Sequence, residues 1–175
     1  MQMKALVVID MQKDFVDGVL GTAEAQAIAD NVASAMVDWD GPVICTYDTH
    51  EENYMDTLEG HYLPVKHCIK ESEGWQLCEP VEEAAVKIEA ARLCKPSFGS
   101  VDLPELISDV CENEVDEIHL CGVCTDICVI SNAMMLKAFF REIPVFVHAE
   151  LCAGVTPEQH DTALKAMGPC QIEVI

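Results

Sequence analysis

Three residues in this chain each close a short apolar run, and together they could act on an acyl group: Asp10, Lys95 and Cys128. Cys128 stands in Gly122-Val123-Cys124-Thr125-Asp126-Ile127-Cys128-Val129, between an apolar segment (115–121) and a helix-like segment (127–140). A cysteine at the start of a helix that follows a buried strand sits where the macrodipole favours the thiolate, the nucleophilic form. Asp10 ends the run Lys4-Ala5-Leu6-Val7-Val8-Ile9, which has the character of a parallel strand buried on both faces. A carboxylate at the carboxyl end of such a strand lies on the ligand-binding edge of an open α/β sheet. Lys95 follows a short run at 91–94 and precedes Pro96, which favours extended or turn backbone.

A second group of residues has the chemistry of a metal site. Asp48-Thr49-His50 closes another apolar run, and residues i and i+2 of an extended segment point to the same side. His67 follows in Pro64-Val65-Lys66-His67-Cys68. One Asp and two His suit Zn²⁺, Fe²⁺ or Mn²⁺ with positions left open for water and substrate. An Asp-x-His pair alone is a weak motif. His119, His148 and His160 read as structural or surface residues.

The elements that must position these groups alternate. Strands are predicted over 3–9, 43–47, 91–94, 115–122, 143–147 and 171–175. Helices are predicted over 24–37, 80–87, 103–111, 125–140 and 157–167, with Thr125 as an N-cap and Pro104 in a first turn. This alternation implies βαβ units: a three-layer α/β/α, Rossmann-like fold on a mostly parallel six-stranded sheet. The segment from 48 to about 77 reads as a long loop, and loops of that length are usually functional or disordered. No repeat, linker or low-complexity tract breaks the chain, so residues 1–175 are expected to form one domain.

With 10 basic and 31 acidic residues, the formal net charge is −21. That charge argues against nucleic acid and anionic membranes as partners. No run of about 18 apolar residues appears, and no signal-type segment opens the sequence, so a soluble cytoplasmic protein is expected. The ten cysteines then belong to a reducing compartment. Cys45, Cys94, Cys121 and Cys170 read as small buried hydrophobes. Cys121-Gly122-Val123-Cys124 is formally a CxxC, but no second pair completes a zinc ribbon.

Val8-Ile9-Asp10-Met11-Gln12-x-Asp14-Phe15, Cys94-Lys95-x-x-Phe98 and Gly122-Val123-Cys124-Thr125-Asp126-x-Cys128-Val129 resemble the three catalytic blocks of the isochorismatase-like cysteine hydrolases, in family order and spacing. The Asp48, His50 and His67-Cys68 pattern is similar to that of the nicotinamidase branch. The resemblance implies hydrolysis of a small amide, nicotinamide first, with another small amide or carbamoyl compound as the alternative. It implies Cys128 as nucleophile, Asp10 as base and acid, and Lys95 holding Asp10 and keeping the sulfur anionic. It further implies an oxyanion hole from the N–H groups of Cys124 and Cys128, a cis peptide between Val123 and Cys124, and a substrate pocket bounded by Phe15, Val123 and Cys124. Asp48, His50 and His67 would hold a divalent metal, zinc before iron or manganese. Glu59 and His61 are the candidates for a fourth ligand, of which Glu59 is the one carried forward. Relatives form dimers or tetramers, so a homo-oligomer is expected. Two departures stand out. Leu63 and Pro64 occupy the place where nicotinamidases carry an aromatic residue, for which Tyr62 or Trp75 would have to substitute. Glu150, read as lying just after the fifth strand, stands where many relatives have Asp.

Overall fold

A computed structural model describes residues 2–175. Its strands are β1 (Lys4–Ile9), β2 (Val43–Asp48), β3 (Ala91–Lys95), β4 (Glu117–Val123), β5 (Val145–Ala153) and β6 (Ile172–Val174). They form one sheet in the order β3-β2-β1-β4-β5-β6, and every pairing is parallel. The helices are α1 (Lys13–Val16), α2 (Ala23–Asp38), α3 (Leu58–Tyr62), α4 (Glu79–Lys87), α5 (Leu103–Val110), α6 (Ile130–Phe139) and α7 (Pro157–Met167). The architecture is the α/β fold read from the alternation of apolar runs.

The central strands explain themselves. β1, β2 and β4 are buried along almost their whole lengths, so both faces must be apolar and each strand reads as a continuous run. Helix α2 starts where the Thr22 hydroxyl accepts the Ala25 N–H, and it buries Ala25, Ile28, Ala29, Val32 and Met36 against the sheet. It packs beside α4, while α5, α6 and α7 pack with one another. The chain leaves β1 in one direction across the sheet and returns to its other side at β4. Ligands bind outside the carboxyl ends of the strands at such a reversal of strand order. Asp10 and Gly122 sit at that point, and Gly122 is a forced choice. Its φ is +112°, and a Cβ there would lie 2.1 Å from the Ile9 carbonyl oxygen.

Several sequence expectations are corrected. β5 runs on to Ala153, so Glu150 lies within the strand, exposed, rather than after it. The half-exposed His148-Ala149-Glu150 stretch breaks the apolar run and imitates a turn. The long loop carries a 3₁₀ turn (Tyr54–Asp56) and α3, the latter capped by the Thr57 hydroxyl on the Gly60 N–H. Cys94 and Cys170 are exposed, because β3 is an edge strand and Cys170 lies in a terminal 3₁₀ turn. Thr125 is not an N-cap. The backbone at Thr125–Val129 winds as a π turn with Cys124 at the cap position, and the Thr125 hydroxyl instead meets His160 Nδ1 at 2.8 Å. Among the described residues, no helix is long and apolar enough to cross a membrane.

Cys45 and Cys152 are buried on β2 and β5, and burial pushes both thiols up to about 12 from an ordinary 9.0. In the unfolded chain these thiols ionise at the ordinary value. Their neutral burial therefore supports the fold fully below about pH 9, and that support is lost as pH rises toward about 12. The expected outcome is a urea midpoint that falls steadily above about pH 9, with a shallower pH slope in Cys45→Ala.

Candidate functional site

Four strand ends supply the site. Asp10 follows β1, Asp48 ends β2, Lys95 ends β3, and Cys128 stands in the π turn that follows β4. Lys95 has no solvent exposure, and its Nζ lies 2.6 Å from Asp10 Oδ2, 3.0 Å from the Ser97 carbonyl, 3.4 Å from Asp48 Oδ1 and 3.5 Å from Cys128 Sγ. Asp10 is equally buried and takes a left-handed φ of 49°, which Asp tolerates better than most residues. Its Oδ1 accepts from the Thr46 hydroxyl at 2.6 Å. Apart from the Lys95 ion pair, Oδ2 has no hydrogen-bond partner.

Electrostatics revise one expectation. Cys128 is fully buried, and burial, reinforced by the charge of Asp10, pushes its thiol well above the ordinary value despite Lys95. The helix terminus and Lys95 do not overcome desolvation, so Cys128 rests as a thiol and not as the thiolate read from the sequence. Burial likewise raises the Asp10 carboxyl against the opposing pull of Lys95. A carboxylate made more basic in this way is suited to take a proton from a neighbouring thiol. Lys95 stays protonated: burial alone would lower it, but the charges of Asp10 and Asp48 and the hydrogen bond to Asp10 more than compensate.

Asp48, His50, Glu59 and His67 place one ligand atom each within 4.8 Å of one another. Asp48 Oδ2 lies 3.0 Å from His50 Nε2 and 3.6 Å from His67 Nε2, and Glu59 Oε1 lies 3.6 Å from His50 Nε2. His67 Nδ1 lies 2.8 Å from the Val65 carbonyl; a proton on that nitrogen leaves Nε2 as the donor atom turned to the cluster. Against the penalty of burial, hydrogen bonds from the two histidines and the charge of Lys95 hold the Asp48 carboxyl below the usual carboxylate range. Two imidazoles and two carboxylates, crowded together and largely buried, fit a divalent ion. Glu59 belongs to the cluster through its place on α3. His61, also on α3, is exposed and lies outside the cluster.

Between the two groups lies a mainly apolar cavity of about 230 Å³. Phe15, Leu63 and Phe98 line it, with Val123, Cys124 and Cys128 at its base and Asp48, Glu59 and His67 at the metal-ligand end. Phe15, Val123 and Cys124 thus stand where the sequence reading put them. The Val123–Cys124 peptide is cis, as the resemblance implied. Neither aromatic substitute reaches the cavity. Tyr62 is 85% exposed, and Trp75 packs on Tyr47 while its indole N–H donates to Thr49 Oγ1 at 2.9 Å. His119 and His148 pair with each other at 3.0 Å, away from the cavity lining.

Three buried polar residues escaped the sequence reading. Thr46 holds Asp10. Gln12 binds the backbone of Asp48 at both ends, accepting its N–H at 2.7 Å and donating to its carbonyl at 2.9 Å. Asn132 donates to the Cys128 and Phe98 carbonyls and accepts the Ser100 N–H, tying the segment that carries Cys128 to the loop after Lys95. For Thr46 and Asn132 the signal was a polar side chain inside a mainly apolar segment, two residues before Asp48 and one turn after Cys128; Gln12, two residues after Asp10 in a polar stretch, carried no such signal.

The family model of the isochorismatase domain matches residues 4–175. An isochorismatase-family protein of Bacillus subtilis (strain 168) is 29% identical over 171 residues, 92% of each chain. The nicotinamidase of Escherichia coli (strain K12) is 28% identical over 192 residues, which cover 91% of this chain and 87% of that protein. Among solved structures, the pyrazinamidase of Pyrococcus horikoshii in complex with zinc is similar with a TM-score of 0.82 at 25% identity, covering 98% of both chains.

A neutral resting thiol has a direct readout. Iodoacetamide labelling of Cys128, followed by peptide mass mapping, is expected to be slow near pH 7 and to accelerate only above about pH 9. Fast labelling near pH 7 would reinstate the resting thiolate.

Proposed function

The chain belongs to the isochorismatase family, and within it we propose an amidase that converts nicotinamide and water to nicotinate and ammonia. One observation carries this reading: the buried Asp10, Lys95 and Cys128 adjoin a cluster fit for a metal ion at the wall of a single small apolar cavity. The likeness to a nicotinamidase and to a zinc-bound pyrazinamidase supports it.

In this mechanism Cys128 Sγ attacks the amide carbonyl carbon while its proton passes to Asp10 Oδ2. The N–H groups of Cys124 and Cys128 receive the developing oxyanion. Asp10 returns the proton to the departing nitrogen, which leaves as ammonia; it then accepts a proton from the water that cleaves the thioester C–S bond and passes it back to Cys128 Sγ as the acid product departs. Lys95 offsets the charge on Asp10 throughout and holds it beside the sulfur. A divalent ion held by Asp48, His50, His67 and Glu59, with zinc the first choice, would supply a Lewis-acid contact for the ring nitrogen of the substrate. The apolar walls, Phe15 among them, flank the ring and exclude water.

One observation favours a second reading. Leu63 lines the cavity where an aromatic stacking partner was expected, and neither Tyr62 nor Trp75 replaces it. A site so walled suits a less planar small amide or carbamoyl compound.

Ammonia release from nicotinamide and from a panel of small aliphatic and aromatic amides separates the two. The expected result is release from nicotinamide that falls by roughly 10³-fold or more in Cys128→Ala, with the fold intact by circular dichroism. Substantial activity in that variant would reject the nucleophile. Release from other amides but not from nicotinamide would establish the second reading. Removal of metal by a chelator is expected to abolish turnover, and Zn²⁺, Fe²⁺ or Mn²⁺ to restore it. Undiminished turnover in protein shown metal-free by elemental analysis would reject the ion's role.

A further inference from the structure

Thr46 is fully buried, and its hydroxyl makes two hydrogen bonds, both with one residue. Its Oγ1 accepts the Asp10 N–H at 3.2 Å and donates to Asp10 Oδ1 at 2.6 Å. The direction of each bond is fixed. A backbone N–H can only donate, so the hydroxyl accepts there, and its single proton is committed to Oδ1. The short distance agrees with a hydroxyl-to-carboxylate bond. Oδ1 is therefore already engaged, and Oδ2, beside Lys95 and without a further partner, is the oxygen left to exchange a proton with Cys128. The same hydroxyl also receives the backbone N–H of Asp10, which stands in the left-handed conformation at the turn after β1.

We propose that Thr46 is a positioning residue for catalysis: it assigns the two oxygens of Asp10 their separate roles and aims Oδ2 at the nucleophile. The inference rests on the reading of Asp10 as the proton acceptor. It also explains why β2 carries a polar residue two positions before Asp48 in an otherwise closed core. Residues 46 and 48 share one face of the strand, so β2 orients the base with one side chain and serves the metal cluster with the next.

Thr46→Val keeps the shape and removes the hydroxyl; Thr46→Ser keeps the hydroxyl and removes a methyl group. Both are compared with wild type and Asp10→Asn for kcat and KM in hydrolysis of nicotinamide and the amide panel. Thr46→Val is expected to lower kcat by roughly tenfold or more with KM nearly unchanged, and Thr46→Ser to restore it to within about twofold of wild type. The proposal is overturned if Thr46→Val keeps the wild-type kcat while Asp10→Asn is inactive, a result that leaves Asp10 as the base. It is also overturned if Thr46→Ser is as impaired as Thr46→Val, since the hydroxyl would then not be the active feature. Wild-type kcat in Asp10→Asn would remove Asp10 as the base and the proposal with it, and so would a wild-type protein that hydrolyses no amide. If Thr46→Val does not fold, Thr46→Ala against Thr46→Ser makes the same comparison.

Discussion

A lysine ammonium with no solvent exposure has lost its hydration and must recover the energy from its neighbours. Lys95 does so between two carboxylates, Asp10 at 2.6 Å and Asp48 at 3.4 Å, both almost wholly buried. Everything else in the site follows from that neutralisation. Asp48 is shared: one oxygen faces Lys95 and the other faces His50 and His67, so the catalytic group and the metal cluster are electrostatically one unit. Lys95 is a single positive charge against Asp10, Asp48 and the half-buried Glu59, an excess of negative charge that a cation at the cluster would offset. The thiol has a place in the same balance. An additional anion would worsen it, and burial together with the charge of Asp10 raises the Cys128 thiol accordingly.

The scaffold holds these charges with hydrogen bonds that leave little slack. Gln12 fastens the end of β2 by both backbone groups of Asp48, and its Nε2 also donates to the Trp75 carbonyl at 2.8 Å, closing the long loop over the strand. Asp14 accepts the Cys68 N–H at 2.7 Å and so fixes the residue after His67. Asn132 joins the segment that carries Cys128 to the loop that carries Phe98. Each of these polar groups is satisfied, the condition under which a buried network is rigid rather than a liability.

The sequence was most legible where the fold leaves no freedom. Doubly buried parallel strands are apolar along most of their length, so β1, β2 and β4 were readable to within about two residues, with Asp10 and Asp48 as what stops the first two; Lys95 was readable as the close of the shorter edge strand β3. Asp48 and His50 were readable because a strand places i and i+2 on one side. Legibility failed where tertiary context decides. Thr125 has the chemistry of a cap, but the π turn moves the cap to Cys124. Cys128 has the position of an activated thiol, but depth of burial is not written in a local motif. Cys94 is apolar enough for a core, yet strand order leaves it on an edge. Thr46 and Asn132 were hidden for the same reason: a polar residue in an apolar run declares a partner without naming it, and their partners lie 36 and 32 to 34 residues away.

The strand order has a bearing on how the protein is made. β1 lies at the middle of the sheet and is synthesised first, yet its partner on one side, β4, begins at Glu117, more than a hundred residues later. Sheets closed by such distant pairing assemble slowly, because a long loop must be ordered before the pairing rewards it. Asp10 and Lys95 can meet once β1, β2 and β3 are paired, but Cys128 joins them only when β4 docks against the exposed edge of β1. The emerging chain therefore holds a buried-to-be lysine and two carboxylates beside an open apolar edge until the second half arrives. The reactive centre is complete only in the finished sheet, so no shortened version of this chain that lacks β4 can be partly active.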